Sequence, residues 1–359
     1  MSDLLKPVTI GRLDLPNRLV MAPMTRSRAR GGLVGELTAE YYGQRSGAGL
    51  IIAEGTQPCV IGQGYIDTPG LHSPEQAAAW RKVTDEVHGR GGRIFVQLMH
   101  AGRIGHPCLY PGGELPLAPS AIASGERLYT PQGLLDHPTP RAMTLDDIAR
   151  AIDDFVTAAR YAMDAGFDGV ELHGASGYLI HQFLSDNTNR RTDAYGGSVE
   201  RRIRFAVEVA RAVGDAIGPA RTGLRISPGI TYNGMAESDP EILYPALVRA
   251  LAPYGLGYLH VSEYGTRPIT EELRAAWPGS LLLNPHPGAG DEPATVTDGE
   301  EALASGVADA ISFGQLWLAN PDLPARVAAG GPYGKADPAT FYGGDHRGYT
   351  DYPTLEETR

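Results

Sequence analysis

Eight short apolar runs recur along the chain, at residues 18–23, 49–54, 93–99, 169–172, 222–227, 257–261, 281–284 and 309–313, and nearly all stop on polar residues or glycine. Runs this short and this continuously apolar are the pattern of strands buried on both faces. Helical signals stand between them. Ser73-Pro74-Glu75-Gln76 supplies an N-cap, a Pro at the first helical position and a capping-box Gln. Thr144 with Asp147, and Thr297 with Glu300, read as two more caps, while 198–217 and 240–251 are patterned as helices. No strand is followed at once by Gly-x-Gly-x-x-Gly, so the alternation predicts an α/β fold of the closed (β/α)8 barrel kind and not a doubly wound sheet.

All 359 residues fit one such domain. Val8-Thr9-Ile10 and Leu13-Asp14-Leu15 around Gly11-Arg12 read as an N-terminal hairpin lid over the bottom of the barrel. Residues 101–142 are rich in Pro and Gly without sustained period, and are expected to be an irregular lid or binding loop after strand three. A tail of about 331–359 follows the last helix.

A formal net charge of −11 and no Lys/Arg-rich run argue against nucleic acid or an anionic membrane as partner. Cys59 and Cys108 are the only cysteines, so neither a disulfide framework nor a zinc ribbon is expected. No apolar run approaches the roughly 18 residues of a membrane span, and the start lacks the pattern of a secretory signal, so a cytoplasmic protein is expected.

Barrel enzymes place their chemistry at the C-terminal ends of the strands. Here those ends collect Thr25, Gly55, Gln97, His173, Arg225, His260, Asn284 and Gly314 into a polar ring. The densest stretch is His173-Gly174-Ala175-Ser176-Gly177-Tyr178, where a helical turn would set His173 and Ser176 on one face. A divalent-metal hydrolase is disfavoured, because strand one ends in Ala22-Pro23-Met24 without a hard ligand and no His-x-His pair occurs, so no metal is expected. A Schiff-base aldolase lacks a lysine at any strand tip. Hydrogen-bonding groups around a planar ligand remain, which suits a flavin. Arg225, charged inside an apolar run, needs an anionic or polar partner.

Five motifs then carry a resemblance: Asn17-Arg18-Leu19-Val20-Met21-Ala22-Pro23-Met24-Thr25-Arg26, Gln97-Leu98-Met99-His100-Ala101-Gly102-Arg103, Arg225-Ile226-Ser227-Pro228, Asn320-Pro321-Asp322-Leu323 and Phe341-Tyr342-Gly343-Gly344. Together they resemble the old yellow enzyme family of FMN-dependent ene-reductases over nearly the whole chain. The resemblance implies FMN as cofactor, NADPH or NADH as hydride donor, and an activated alkene as small-molecule substrate. It implies that Pro23, Met24, Thr25, Gly55, Gln97 and Arg225 border the flavin and that Gly314 and Gln315 lie at its phosphate. It further implies that His173 and Ser176 hold the activating oxygen, that Tyr178 donates a proton, and that Tyr65, Met99 and Tyr342 face the substrate. The chain departs from the family pattern at Ser176, at Met99, at Gln315 in place of an arginine, and in Asn284-Pro285-His286-Pro287-Gly288 after strand seven. The missing arginine motivates an alternative, a barrel that has lost redox function and serves as an isomerase or ligand-binding scaffold.

Overall fold

The computed structural model describes residues 2–286, 288 and 292–358, so Pro287 of the turn after strand seven lies outside the described residues. Eight parallel strands close into a barrel: β1 (Leu19–Met21), β2 (Leu50–Thr56), β3 (Ile94–Leu98), β4 (Gly169–Gly174), β5 (Thr222–Ile226), β6 (Tyr258–Ser262), β7 (Ser280–Asn284) and β8 (Ala310–Phe313). Closure is direct, with Leu19 of β1 paired to Ile311 of β8. Outside them run α1 (Glu36–Gln44), α2 (Pro74–Gly89), α3 (Leu145–Asp164), α4 (Arg204–Ile217), α5 (Pro240–Leu251), α6 (Arg267–Ala276), α7 (Val296–Ala304) and α8 (Leu323–Ala329). Among the described residues, no helix is long and apolar enough to cross a membrane.

The caps explain where several helices begin. Ser73 accepts from the Gln76 N–H, and Thr144 and Asp147 form a reciprocal capping box. One expectation is corrected: α7 is capped by Thr295 with Asp298, not by Thr297 with Glu300. Both pairs have the capping spacing. Within α7 Gly299 is buried, and a Cβ there would come within 2.7 Å of the Phe313 ring. The helical stretch 198–217 is divided at Ile203 into Val199–Arg202 and α4. Helices α1, α6 and α8 were not read from the sequence; their N-caps, Gly35, Thr266 and Asp322, make no side-chain cap bond.

Inward-facing residues stack in layers, as the two-residue period of a strand requires. The apolar floor of the barrel holds Val20, Leu50, Ile52, Phe95, Tyr258, Leu282 and Ala310. Ile10 and Leu15 join that cluster from the N-terminal hairpin, whose strands Val8–Ile10 and Leu13–Leu15 pair across Gly11-Arg12. Gly169 and Gly223 make room for the rings there, since a Cβ would sit 2.4 Å from Phe95 on the one and 2.3 Å from Tyr258 on the other.

The stretch 101–142 is more ordered than expected. It contains an antiparallel hairpin, Arg127–Thr130 with Gly133–Asp136, and a short parallel pair, Leu117–Ala118 with Arg141–Ala142. Its strands are too short to impose a readable period, although Arg127–Thr130 does alternate exposed and buried. The C-terminal tail folds back over the exit of β1. Arg26 donates from Nε to the Phe341 carbonyl at 2.9 Å and from Nη2 to that of Gly348 at 2.8 Å, while Tyr349 stacks on Tyr41 at 4.2 Å.

Candidate active site

Above the apolar floor lies a buried polar layer. Glu171 of β4 accepts from Gln97 Nε2 at 2.8 Å on one oxygen and meets His260 Nδ1 at 2.8 Å on the other. His260 Nε2 continues to Ser312 Oγ at 2.7 Å. Burial alone would raise the Glu171 carboxyl, but His260 and Arg225 outweigh it and hold it below its ordinary value. The layer thus holds one buried carboxylate, met by Gln97 and His260 and facing the Arg225 charge. His260 is corrected by this geometry: it is fully buried and belongs to the layer beneath the mouth, not to the ring around it.

The next layer up is the mouth. Strand register sets Arg225 beside His173. Arg225 Nη2 lies 3.4 Å from both Ser262 Oγ and Asn284 Oδ1, and its Nε is buried without a partner. A buried guanidinium with an unused donor, its nearest anion a layer below, is built for a ligand carrying negative charge. Such a site fits the pyrimidine edge of FMN. Around it, Pro23, Met24 and Thr25 follow β1 half-buried, and a Cβ on Gly314 would lie 3.6 Å from Met24 Sδ. At the β2 tip a Cβ on Gly55 would be 2.8 Å from Met99 Sδ, so the Met99 side chain packs directly on the glycine. Gln97 has committed its amide N–H to Glu171, which leaves its carbonyl oxygen for a ligand donor.

On the other side of the mouth stand His173 and Tyr178, rings 4.8 Å apart and edge to face. His173 Nδ1 accepts the Ala175 N–H at 3.3 Å, so the ring proton sits on Nε2. Burial, followed by the Arg225 charge, pushes this imidazole well below its ordinary value, and it is neutral. Tyr178 shares a 2.9 Å hydrogen bond with the Tyr65 hydroxyl, and burial pushes its phenol up. Met99, Ala101, Ile104 and Tyr178 form an apolar cluster with Tyr65 against it. Tyr342 is 68% exposed on the outer rim.

The expected helical turn after His173 is corrected. Strand β4 runs on to Gly174, and Ser176 has a left-handed backbone with φ 55°. Its N–H donates to Ser227 Oγ at 2.9 Å and its carbonyl accepts from Asn233 Nδ2 at 2.8 Å. The loop is clamped again where Gly177 N–H meets His181 Nδ1 at 3.0 Å, with His181 Nε2 3.0 Å from Glu237.

Several contributors went unassigned in the sequence. Glu171 was signalled by a charge inside an apolar run, as Arg225 was. Ser262, Ser312 and Asn233 carried no such signal, because each acts through a partner distant in the chain.

A profile of the NADH:flavin oxidoreductase / NADH oxidase family matches residues 3–333. The 12-oxophytodienoate reductase 2 of Arabidopsis thaliana is 40% identical over 375 residues, covering 99% of this chain and 96% of the relative. Morphinone reductase in complex with tetrahydroNAD has a TM-score of 0.94 at 41% identity, covering 100% of this chain and 99% of that one. An old yellow enzyme homologue from Zymomonas mobilis has a TM-score of 0.93 at 40% identity, covering 98% and 100%. Whole-length matches at this identity leave one assignment: the chain belongs to the NADH:flavin oxidoreductase family of old yellow enzyme type and is an FMN-dependent NAD(P)H oxidoreductase.

Proposed function

We propose that the protein reduces alkenes activated by a carbonyl or nitro group, with His173 as the hydrogen-bond donor to the activating oxygen and Tyr178 as the proton donor. The observation that carries this reading is the His173 tautomer. With Nδ1 occupied by the Ala175 N–H, the ring presents Nε2–H as a neutral donor, which stabilises oxygen charge as it develops without giving up its own proton. FMN, when bound, carries two electrons from the nicotinamide to the alkene in separate half-reactions. Arg225 stabilises negative charge at the pyrimidine edge, while Thr25, Gly55 and the Gln97 carbonyl border the ring. Tyr178 stays protonated because burial raises its phenol, and its bond to Tyr65 fixes the hydroxyl from which the substrate α carbon takes its proton. Tyr65, Met99 and, at the rim, Tyr342 shape the substrate space.

Stopped-flow reduction by NADH or NADPH, followed by reoxidation with a small cyclic enone, tests the reading. His173→Ala is expected to slow the enone step about 10²–10³-fold while sparing the nicotinamide step. An enone step of normal speed in that variant would remove His173 from the role.

A further inference from the structure

In parallel barrels a phosphate is commonly held by the loops after strands seven and eight. Those loops here bring His286 and Gln315 to one cavity of about 580 Å³, together with Ser262, Glu263, Tyr264 and Tyr232. A glutamine supplies no charge, and no Lys or Arg is among the described residues lining this cavity. Arg267, close by, is committed to Glu263 through bonds of 2.6 and 2.9 Å, and Arg225 faces the pyrimidine edge. One lining side chain can become a cation, and it has a free atom: His286 Nδ1 is buried without a hydrogen-bond partner.

We propose that His286 binds the FMN phosphate, taking the place of the arginine that position 315 lacks, an assignment that rests on the flavin site described above. The charges facing the ring are Arg225, which opposes its protonation, and Glu263 and Asp298, which favour it; Glu126, Tyr232 and Tyr264 line the remaining walls. Burial, the largest influence, holds the imidazole below its ordinary value and neutral before ligand arrives. A phosphate dianion at Nδ1 favours the imidazolium, so binding takes up a proton and retention weakens as pH rises. Riboflavin, which has the same ring and no phosphate, is indifferent to this residue.

The test follows flavin release from the loaded protein after dilution, by recovery of flavin fluorescence, with FMN and with riboflavin. Between about pH 6.5 and about pH 8.5, FMN retention is expected to fall roughly tenfold and riboflavin retention to stay level. His286→Ala should release FMN faster and without pH dependence. His286→Lys should restore retention while staying flat with pH, as should Gln315→Arg in the His286→Ala background. Unchanged FMN retention and an unchanged pH profile in His286→Ala would overturn the assignment and leave the flavin reading standing. Failure of the native protein to hold either flavin would overturn both.

Discussion

Ser176 sits in a left-handed conformation, φ 55°, that asparagine adopts more readily than serine. Its backbone is fastened by Ser227 and Asn233, and its short side chain stops one or two bonds nearer the main chain than an amide would. His173 is thereby the better placed donor. Ser176→Asn is expected to fold at least as stably and to raise turnover of a small cyclic enone by about an order of magnitude, with the nicotinamide step within a few-fold. A slower enone step would show that the residue serves the loop and not the substrate. A second expectation concerns pH. His173 is pushed down and Tyr178 up, so neither changes protonation across the neutral range. The enone step should be level from about pH 6.5 to about pH 9.5, and a bell inside that window would assign the proton to another group.

Among elements, β4 joins the two upper layers of the barrel, since Glu171 and His173 both point inward, two residues apart. Glu171 is the buried counter-charge for Arg225 on β5 and the acceptor for His260 on β6. Removing one member of such a set leaves the other charge uncompensated. Glu171→Gln is expected to lower stability by about 3–5 kcal/mol, read from denaturant midpoints, and to loosen FMN retention through Arg225. Because the folded carboxyl lies below its unfolded value of 4.5, its stabilisation is complete above that value and is lost as pH falls through the folded one.

For the whole molecule, Glu54 marks where β2, α1, the exit of β1 and the C-terminal tail converge. It accepts the Arg26 N–H at 3.1 Å, and the Tyr42 hydroxyl lies 3.5 Å away. Burial raises its carboxyl to about 7 against the partly compensating Arg26 and Arg28. The unfolded chain ionises at 4.5 and the folded one only near 7, so this group lowers stability progressively across that interval. Glu54→Gln should therefore match the native protein near pH 4.5 and exceed it near pH 8, by at most about 3 kcal/mol at 1.36 kcal/mol for each pH unit. Equal melting temperatures at both pH values would mean that the native carboxylate is better solvated than its burial implies.

What the sequence alone determined was whatever depends on neighbours along the chain. Two-sided burial writes a strand as a short apolar run, and caps such as Ser73 and Thr144 write a helix start, so the barrel was readable. A strand tip follows from its strand, so His173, Arg225 and Gln97 were found with it. Thr295 and Thr297 offered the same local signal, and in the folded chain it is Thr295 that caps the helix. The remainder depended on residues far apart in sequence. Glu171 meets His260 only because β4 and β6 flank β5, and His286 and Gln315 line one cavity only because β7 and β8 end side by side. Barrel closure decided these pairings, since a buried charge takes its partner from whichever inward-facing side chain the closed sheet brings to the same layer.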